Sequence, residues 1–276
     1  MTSAEPPRLS IVTGTRNRPE SVERFVRSVL ANVDEPFELL IGDASSQGRF
    51  FVSPDPRVVV FPEDPPLGPP RGFNALFRRA RGEWVCFLND DLEVGPGWSR
   101  ALVAEMERHP EVDFFCLPMI EPGEPGYFIP LYHELPFACL GVVRREVGDA
   151  LGWFDEGFRF YATDPDLALK AIDAGVRLAP AAGARVLHHR LSEDPSAGSR
   201  ALYDADNGRL SRMWRPRRRA LRRRYRRTSY RYFRHLGTRH SDFYHGPVLE
   251  IHAADGAPLR PARRHRVKAW GWWLGI

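Results

Sequence analysis

Residues 67–94 read LGPPRGFNALFRRARGEWVCFLNDDLEV, and this stretch decides the fold. A loop rich in proline and glycine leads into a helical pattern near Phe73–Arg81. The next run, Glu83–Leu88, is mostly apolar, as a buried strand would be, and it ends directly in Asn89-Asp90-Asp91. A helix, a buried strand and an acidic turn in this order predict one unit of an α/β sheet.

The same alternation of strand and helix continues on both sides of this stretch. It predicts an α/β fold with a mostly parallel central sheet and helices on both faces. Pro19 suits the first turn of a helix, where its missing N–H costs nothing. The predicted elements are strands at Leu9–Gly14, Phe37–Ile41, Arg57–Phe61 and Val112–Leu117, with helices from Pro19 and over about Trp98–His109.

The second half of the chain has a mixed pattern. Thr163-Asp164-Pro165 looks like a helix start, and Gly175 stops the helix after Leu167–Ala174. An aromatic-rich loop, Trp153–Tyr161, precedes it. We further predict strands at Cys139–Val143 and Ala184–His189, a helix from about Arg145, and some helix in the Arg-rich stretch after about Ser199.

Composition fits an ordinary soluble protein, since 43% of the 276 residues are hydrophobic and 27% are charged. No apolar run approaches the ~20 residues that span a bilayer. The N-terminus does not read as a signal peptide, so we expect a cytoplasmic protein. Cys86, Cys116 and Cys139 lie far apart, which suits buried thiols in a reducing compartment better than a disulfide frame or a zinc site.

Charge is distributed unevenly along the chain. Residues 207–241 contain 14 arginines and no Asp, Glu or Lys, so a chain of net charge +5 has a remainder of −9. One interpretation is a helix that packs on the acidic body with its arginine side solvated. A second is attachment to the inner face of an anionic membrane, where each basic residue contributes about 1 kcal/mol and Trp270, Trp272 and Trp273 add anchoring. Nucleic-acid binding ranks last, because no recognition motif accompanies the charge.

Acidic residues follow two of the predicted strands. Asp43 ends the second strand, and the triplet 89–91 ends the fourth, nearly fifty residues later. Ligands of such sheets bind at the carboxyl ends of the strands, so both sites should converge on one crevice. Carboxylates there could hold a divalent cation, and Asp43 could accept a hydrogen bond from a nucleobase. The alternative is turn formation, with Ser45 and Ser46 beside Asp43.

Two further candidates lie in the second half. Asp164 could remove a proton from an acceptor hydroxyl, although Asp before Pro at a helix start is also a normal N-cap. Asp166 would favour the helix dipole whatever its function. His188 and His189 end a predicted strand and could complete a Mn²⁺ or Mg²⁺ shell, or could be structural or solvated.

Four blocks in this order resemble those of family 2 glycosyltransferases. They cover roughly residues 8–190, and the LNDD form is similar to that of the rhamnosyltransferase-like branch. The blocks are Leu9–Pro19 (LSIVTGTRNRP), Leu40–Gly48 (LIGDASSQG), Leu67–Val94, whose acidic triplet stands in for the DXD motif, and Leu151–His189, which ends in the two histidines.

The resemblance implies a GT-A fold, a nucleotide-sugar donor (UDP, GDP or dTDP), Mn²⁺ or Mg²⁺, and inversion at the anomeric carbon. It implies an acceptor hydroxyl, on a glycan or a lipid-linked molecule. In this resemblance Asp43 would bind the base, and Thr15, Arg16 and Asn17 would line the nucleotide pocket. Arg71 and Asn74 would lie near the donor, and Asp90 would face the ribose or the sugar. Asp91 would hold the metal together with His188 or His189, and Asp164 would be the catalytic base.

The resemblance also implies a division of the chain. Residues 1–195 would form the GT-A domain, with a nucleotide-sugar half at 8–117 and an acceptor half at 118–195. Residues 196–276 would form a basic, aromatic, partly helical extension, which could also mediate a homodimer. The sequence departs from the family pattern at four positions. The family more often has Pro where Gly14 stands and an acid or amide where Ala44 stands. It more often has an acid in place of Asn89 and Glu in place of Thr163.

Two other classes of protein remain open. A nucleotidyltransferase also joins a nucleotide-binding sheet to acidic metal ligands, but it needs a basic pyrophosphate-binding loop. Arg16 and Arg18 are only a faint version of such a loop, with no Gly-rich run. A non-catalytic scaffold or membrane-surface protein would use the Arg-rich segment as its working surface.

Overall fold

The structure is a computed structural model that describes residues 6–46, 50–189, 197–242, 246–253 and 265. Its strands are β1 (Leu9–Thr15), β2 (Phe37–Asp43), β3 (Val58–Pro62), β4 (Trp84–Phe87), β5 (Leu92–Val94), β6 (Phe114–Cys116), β7 (Met119–Ile120), β8 (Gly126–Tyr132), β9 (Leu135–Pro136), β10 (Gly141–Arg144), β11 (Leu178–Pro180), β12 (Val186–His188), β13 (Gly237–Ser241) and β14 (Gly246–Ala253). Its helices are α1 (Pro19–Asn32), α2 (Pro69–Phe77), α3 (Trp98–Arg108), α4 (Arg145–Leu151), α5 (Thr163–Ala174), α6 (Ala197–Trp214), α7 (Arg218–Thr228) and α8 (Tyr230–Phe233), with a 3-10 turn at Arg215–Arg217.

The central sheet has the strand order β11-β6-β10-β4-β1-β2-β3. Strands β4, β1, β2 and β3 are parallel to one another, whereas β10 runs antiparallel to both β4 and β6. β1 and β2 are buried along almost their whole length, as strands covered on both faces are. The predicted mostly parallel α/β sheet is therefore confirmed, and the carboxyl ends of β1, β2 and β4 meet at one edge.

Helix α1 follows the sequence rules closely. Pro19 occupies its first turn, and its apolar face, which includes Phe25 and Val29, is buried. Helix α2 differs from the prediction near Phe73–Arg81, because it begins at Pro69 and ends at Phe77. Two prolines stand at its first positions, where their fixed φ suits a helix start, and this moves the helix toward the N-terminus.

A second sheet has the order β13-β14-β8-β7-β12-β5, and β9 pairs with β8 beside it. Of these strands, only β12 was predicted from the sequence. Strand β14 comes from the basic extension and pairs antiparallel with β8 of the preceding body. The extension therefore shares a sheet with residues 126–132, and the division at residue 195 stays a prediction.

Helix α7 carries much of the Arg-rich segment and packs on the body through Leu221 and Tyr225, both buried. Arg224 Nη1 lies 3.0 Å from Asp173 Oδ1, and Arg222 Nη2 lies 3.3 Å from Glu134 Oε2. These contacts agree with the first interpretation of the segment, a basic helix on an acidic body. Trp270, Trp272 and Trp273 lie outside the described residues. Within the described ranges, none of the helices combines the length and apolarity needed to cross a bilayer.

Candidate active site

Residues from three parallel strands meet at the carboxyl edge of the central sheet. Thr15, the last residue of β1, lies opposite Asp43, the last residue of β2. The Thr15 hydroxyl donates a 2.6 Å hydrogen bond to Oδ2 of Asp90, which follows β4. Burial raises the pKa of Asp90, and the bond from Thr15 opposes that rise. The predicted convergence of the two acidic segments is therefore present.

Asp43 is 1% exposed, and both its carboxylate oxygens accept backbone hydrogen bonds. Oδ1 accepts from the N–H of Ser45 at 2.9 Å, and Oδ2 accepts from the N–H of Phe51 at 2.6 Å. Carboxylate oxygens have further lone pairs, so these bonds do not use the full capacity of Asp43. They fix the backbone at Ser45 and at Phe51 after β2, and Gly48, the end of the predicted block, lies outside the described residues.

Asn17 joins the loop after β1 to the loop after β2. Its backbone N–H donates to Ser45 Oγ at 2.8 Å, and its side-chain oxygen accepts from the N–H of Ser46 at 2.9 Å. Its φ of +54° lies in the left-handed region that Asn tolerates better than most residues. Arg16 is exposed beside it. The predicted nucleotide-pocket residues therefore form one connected pair of loops.

The acidic triplet is asymmetric in its surroundings. Asn89 is exposed, Asp90 is 4% exposed, and Asp91 is partly buried. Arg18 Nη1 lies 3.6 Å from Asp90 Oδ1 and 4.0 Å from Asp91 Oδ2. A cationic side chain thus lies against both carboxylates, and its own 41% exposure leaves it room to move.

His188 lies beside Asp91. Its strand, β12, runs antiparallel to β5 with His188 opposite Leu92, and its Nε2 lies 3.1 Å from Asp91 Oδ1. Its Nδ1 contacts Oε1 of Glu121, which is 2% exposed. Burial opposes a charge on His188, but the neighbouring carboxylates of Asp91 and Glu121 outweigh it and raise the pKa of His188 to about 9.

Glu121 was not identified from the sequence. It follows β7, a strand of two residues that pairs in parallel with β12, where Ile120 lies opposite Leu187. One step further along both strands, Glu121 and His188 are neighbours. Only the register of this short strand reveals the pair, and no local motif indicates it.

His189 has different surroundings from His188. Its Nε2 contacts Oε2 of Glu93, while its backbone N–H donates to the carbonyl of Asp91 at 2.8 Å. Successive residues at a strand end point to opposite sides. The structure therefore brings the ring of His188, and not that of His189, to the Asp91 carboxylate.

The Asp91–His188 pair fits a shared divalent cation. Atoms that bind one octahedral cation at about 2.1 Å lie about 3.0 Å apart at neighbouring positions, and Asp91 Oδ1 lies 3.1 Å from His188 Nε2. Asp91 Oδ1 is also buried without a hydrogen bond of good geometry. Among the described residues no cluster of three His, Cys, Asp or Glu could hold a metal, so any cation would need further ligands from phosphate and water.

Asp164 lies in the first turn of α5 and does not cap the helix. The N-cap is Ala162, with φ of +66° and no side-chain capping bond. Burial raises the pKa of Asp164 to about 7, against the opposing effects of its own backbone N–H and a hydrogen bond from the Cys139 thiol. A carboxyl group of this pKa is half ionised near neutral pH, which suits a general base.

Cys139 relates Asp164 to the acidic triplet. Strand β10 runs antiparallel to β4 with Gly141 opposite Phe87. Cys139 precedes β10 and therefore lies at the edge of the sheet where β4 ends and Asn89-Asp90-Asp91 begins. Since the Cys139 thiol bonds to Asp164, the acceptor-side carboxyl lies at the same edge as the triplet. Sequence spacing alone held no signal for Cys139.

Arg71 and Asn74 connect α2 to the loop before α5. The Asn74 amide donates to the carbonyl of Phe154 at 2.9 Å and to Glu156 Oε1 at 3.0 Å, and its oxygen accepts from the N–H of Phe154 at 3.1 Å. Arg71 is exposed, with its Nε 3.5 Å from Glu156 Oε2. Both predicted donor residues thus lie at the junction of the two predicted halves.

A cavity of about 190 Å³ opens beside Gly42, the residue before Asp43, and Asp43 itself does not line it. It lies between the ends of β2 and β3 and helix α2, and its lining includes Gly42, Glu63 and Arg79. Burial, chiefly, raises the pKa of Glu63. The bond from the N–H of Leu67 to Glu63 Oε2, at 3.2 Å, holds the loop that closes the cavity.

Helix α6 of the basic extension contacts the acceptor-side loop at several points. Asp206 Oδ2 accepts hydrogen bonds from the N–H groups of Phe160 and Tyr161 at 2.9 and 2.8 Å. Arg209 Nη2 donates to Asp155 Oδ2 at 2.8 Å. The Trp214 indole N–H donates to Asp166 Oδ1 at 2.7 Å, and Asp166 is fully buried. Sequence reasoning assigned these residues to a separate extension and missed that they hold the acceptor side.

A family model described as "Glycosyl transferase family 2" matches residues 10–161, more than half of the chain. Over 239 residues the chain is 30% identical to the O-antigen biosynthesis protein RfbC of Myxococcus xanthus, covering 72% of this chain and 18% of that protein. It spans 28% and 38% of two further curated relatives, so all three are much longer than the part it matches.

Two solved structures share the fold at low sequence identity. GalNAc-T7 with UDP, GalNAc and Mn²⁺ matches with a TM-score of 0.59 and 18% identity, over 73% of this chain and 47% of that one. The mannosyltransferase PcManGT from Pyrobaculum calidifontis, in complex with GDP-Man and Mn²⁺, matches with a TM-score of 0.52 and 19% identity. The match covers 72% of this chain and 60% of that one. At these identities the likeness concerns the fold alone.

Proposed function

This chain belongs to glycosyl transferase family 2 and has a GT-A fold, and on that premise we propose that it transfers a sugar from a nucleoside diphosphate to an acceptor hydroxyl. The observation that carries the proposal is the meeting of two carboxyl groups at one sheet edge. Asp91 lies beside His188, and Asp164, with a pKa of about 7, bonds to Cys139 at the same edge. The rhamnosyltransferase-like branch stays a prediction.

The donor side follows from the residues around the triplet. Asp91 and His188 would hold Mn²⁺ or Mg²⁺, and a bound divalent cation neutralises the charge of a leaving diphosphate. Thr15 fixes Asp90, which would face the ribose or the sugar. Arg18 lies against both carboxylates and would turn toward the diphosphate when a cation replaces it.

The base of the nucleotide would lie beside Asp43, near the 190 Å³ cavity that opens at the neighbouring Gly42. Glu63 adds a carboxyl group to the lining of that cavity. UDP and GDP are the first donors to test, because the two solved structures hold UDP and GDP-Man. dTDP is the third, in line with the predicted branch.

Asp164 would act as the catalytic base in one displacement. It accepts the proton of the acceptor hydroxyl while the acceptor oxygen bonds to the anomeric carbon. The bond from that carbon to the diphosphate oxygen breaks, and its electron pair leaves with the diphosphate. Attack on the face opposite the leaving group inverts the configuration, and this route needs a single base.

A saccharide acceptor is supported by the name of one relative. The Myxococcus xanthus protein is named for O-antigen biosynthesis, and O-antigen is a glycan. We extend this to the present chain as part of the proposal. Whether such a glycan is free or lipid-linked would be tested with soluble and lipid-linked forms of one oligosaccharide.

Donor turnover tests the proposal. UDP-, GDP- and dTDP-sugars are incubated with the full chain and Mn²⁺, and release of free sugar is measured with and without glycan acceptors. Asp91→Ala and Asp164→Asn should each abolish transfer while the far-UV circular dichroism spectrum stays unchanged. Asp34→Asn, an exposed surface carboxyl that pairs with Arg100, is the matched control and should keep full activity. Full activity in both site variants would remove the mechanism.

Contact with an anionic membrane is a separate proposal for the extension. Arg219, Arg223 and Arg227 are exposed on α7, on the helix whose Leu221 and Tyr225 are buried against the body. Exposed arginines attract an anionic surface. Cosedimentation with vesicles containing phosphatidylglycerol, compared with phosphatidylcholine alone, should show binding that salt reverses, and a triple Arg→Gln variant should lose it.

A further inference from the structure

Two aromatic side chains are unusually exposed beside the acceptor-side loop. Phe160 is 51% exposed and Tyr203 is 46% exposed, and in the described ranges every other Phe, Tyr and Trp is buried or half-buried. The ring of Tyr161 lies between them, 4.8 Å from the ring of Phe160 and 5.2 Å from that of Tyr203. Contiguous exposed apolar groups with a polar rim are typical of ligand-binding surfaces.

The three rings come from two separate elements that one buried carboxylate holds together. Phe160 and Tyr161 precede α5, whereas Tyr203 lies on α6, one turn before Asp206. Asp206 is 3% exposed, and it accepts the N–H groups of Arg159, Phe160 and Tyr161 at 3.2, 2.9 and 2.8 Å. Hydrogen bonds to a charged acceptor are about twice as strong as neutral ones. The ring set is therefore fixed before any ligand binds.

The ring set lies close to the proposed catalytic base. Phe160 precedes Asp164 by four residues, so their Cα atoms lie at most about 14 Å apart even for a fully extended chain. Ala162 lies between them in the left-handed region, with φ of +66°, which turns the chain and shortens that distance. A saccharide seated on the rings could therefore reach Asp164 with the hydroxyl of its terminal residue.

We propose that Phe160, Tyr161 and Tyr203 form the acceptor subsite, a stacking platform for a sugar ring, and that Asp206 is its positioning residue. The inference rests on the proposed function, which it extends to the acceptor. The C–H face of a pyranose is apolar and flat enough to cover an aromatic ring, while its hydroxyls remain at the edge. The rim here is charged: Arg200 lies 5.9 Å from the Tyr203 ring centroid, and its Nε lies 3.3 Å from Asp204. A charged rim suits a hydroxylated ring and disfavours a lipid chain.

Saturation-transfer NMR on the full chain tests the subsite without turnover. The probes are methyl pyranosides of glucose, galactose, mannose, rhamnose and N-acetylglucosamine. Phe160→Ala and Tyr203→Ala should each weaken binding by about fivefold, the order expected for the loss of one stacking contact. Val59→Ala removes an exposed apolar side chain on β3 and should bind the probes as the wild type does. No probe binding by the wild type, or equal binding by all variants, overturns the subsite.

Asp206 is tested by comparing two ligands on the same variants. Asp206→Ala should weaken pyranoside binding by about fivefold or more, because both rings of the loop lose their anchor. The thermal shift with UDP or GDP and Mn²⁺ should stay at the wild-type value. Asp206→Asn keeps one accepting oxygen, should restore part of the pyranoside binding, and serves alone if the Ala variant does not fold. If the variant loses both pyranoside binding and the thermal shift with nucleotide and Mn²⁺, Asp206 has a merely structural role. That result would overturn its part of the proposal.

The failure of the subsite and the failure of the transferase proposal are distinguishable. If no donor releases its sugar but the aromatic variants lose pyranoside binding, the subsite stands and sugar transfer does not. If donors turn over and the aromatic variants bind pyranosides normally, sugar transfer stands and the subsite does not.

Discussion

The Thr15 hydroxyl donates a 2.6 Å hydrogen bond to Asp90 Oδ2, although the two residues are 75 positions apart in sequence. The bond joins the end of β1 to the turn after β4 and is buried, so no solvent competes for it. Asp90 is 4% exposed, and Arg18 is its nearest cationic neighbour at 3.6 Å. Thr15 therefore offsets part of the cost of burying the Asp90 carboxylate, which the more distant Arg18 offsets only weakly.

Replacing Thr15 by Val should destabilise the fold while keeping the shape of the side chain. The variant leaves a buried carboxylate oxygen without its donor, which costs about 1–3 kcal/mol in the free energy of unfolding. Thr15→Ser keeps the hydroxyl, so its free energy of unfolding should fall much less. Urea unfolding at neutral pH measures both, and a Val variant as stable as wild type would contradict the role assigned to this bond.

Transfer activity should rise with pH through the pKa of Asp164. Burial raises that pKa to about 7, so below it the carboxyl is protonated and cannot accept the acceptor proton. Under donor saturation, kcat/KM for the acceptor should fall about tenfold for each pH unit below the pKa, as expected for one essential base. The pH profile, corrected for metal binding at each pH, is the measurement. A flat profile across neutral pH would remove Asp164 as the base.

The same pKa predicts how stability depends on pH. The folded form of Asp164 binds a proton between its usual pKa of 3.8 and about 7, whereas the unfolded form has released it. Stability is therefore fully present below the lower value and falls as pH rises, by at most about 1.4 kcal/mol per pH unit in that window. Asp164→Asn lacks this loss, so it should melt at a higher temperature than wild type above about pH 7.

A comparison of the melting temperatures at both ends of this window provides the control. Below the usual pKa of 3.8 the wild type and Asp164→Asn should melt alike, because both carry a neutral side chain. A variant that is more stable than wild type by the same amount at every pH would show that the gain comes from packing and not from the carboxylate.

The sequence predicted the central sheet except for its edge strand β11, because the other strands lie in apolar runs between clear helical patterns. The convergence of Asp43 with Asp90 followed from this, since parallel strands bring their carboxyl ends to one edge. Of the second sheet only β12 was predicted, because β5 and β7 have three and two residues, too few for any alternation to show.

Most of the contacts within the candidate site were also out of reach of the sequence. Glu121 meets His188 through the register of two short strands, and Asp206 binds backbone N–H groups 45 to 47 residues away. Neither contact leaves a local pattern, because the first depends on how two distant strands pair and the second joins a side chain to distant backbone N–H groups. The choice between His188 and His189 needed the position of β12 in the sheet, because adjacent residues of a strand point to opposite sides.

Metal binding should distinguish the two histidines. His188 Nε2 lies 3.1 Å from Asp91 Oδ1, whereas the ring of His189 contacts Glu93. Titration calorimetry with Mn²⁺ in the presence of UDP or GDP should show that His188→Ala loses the metal-dependent part of nucleotide binding. Glu121→Gln should weaken it by about 10–100-fold, because a carboxylate that bonds the far nitrogen orients a histidine ligand and increases its basicity. His189→Ala and Glu93→Gln form the matched pair one residue away, and both should bind as wild type does. Equal losses in the two pairs would mean that the metal is not held at His188, and the assignment of Asp91 as its partner would fall with it.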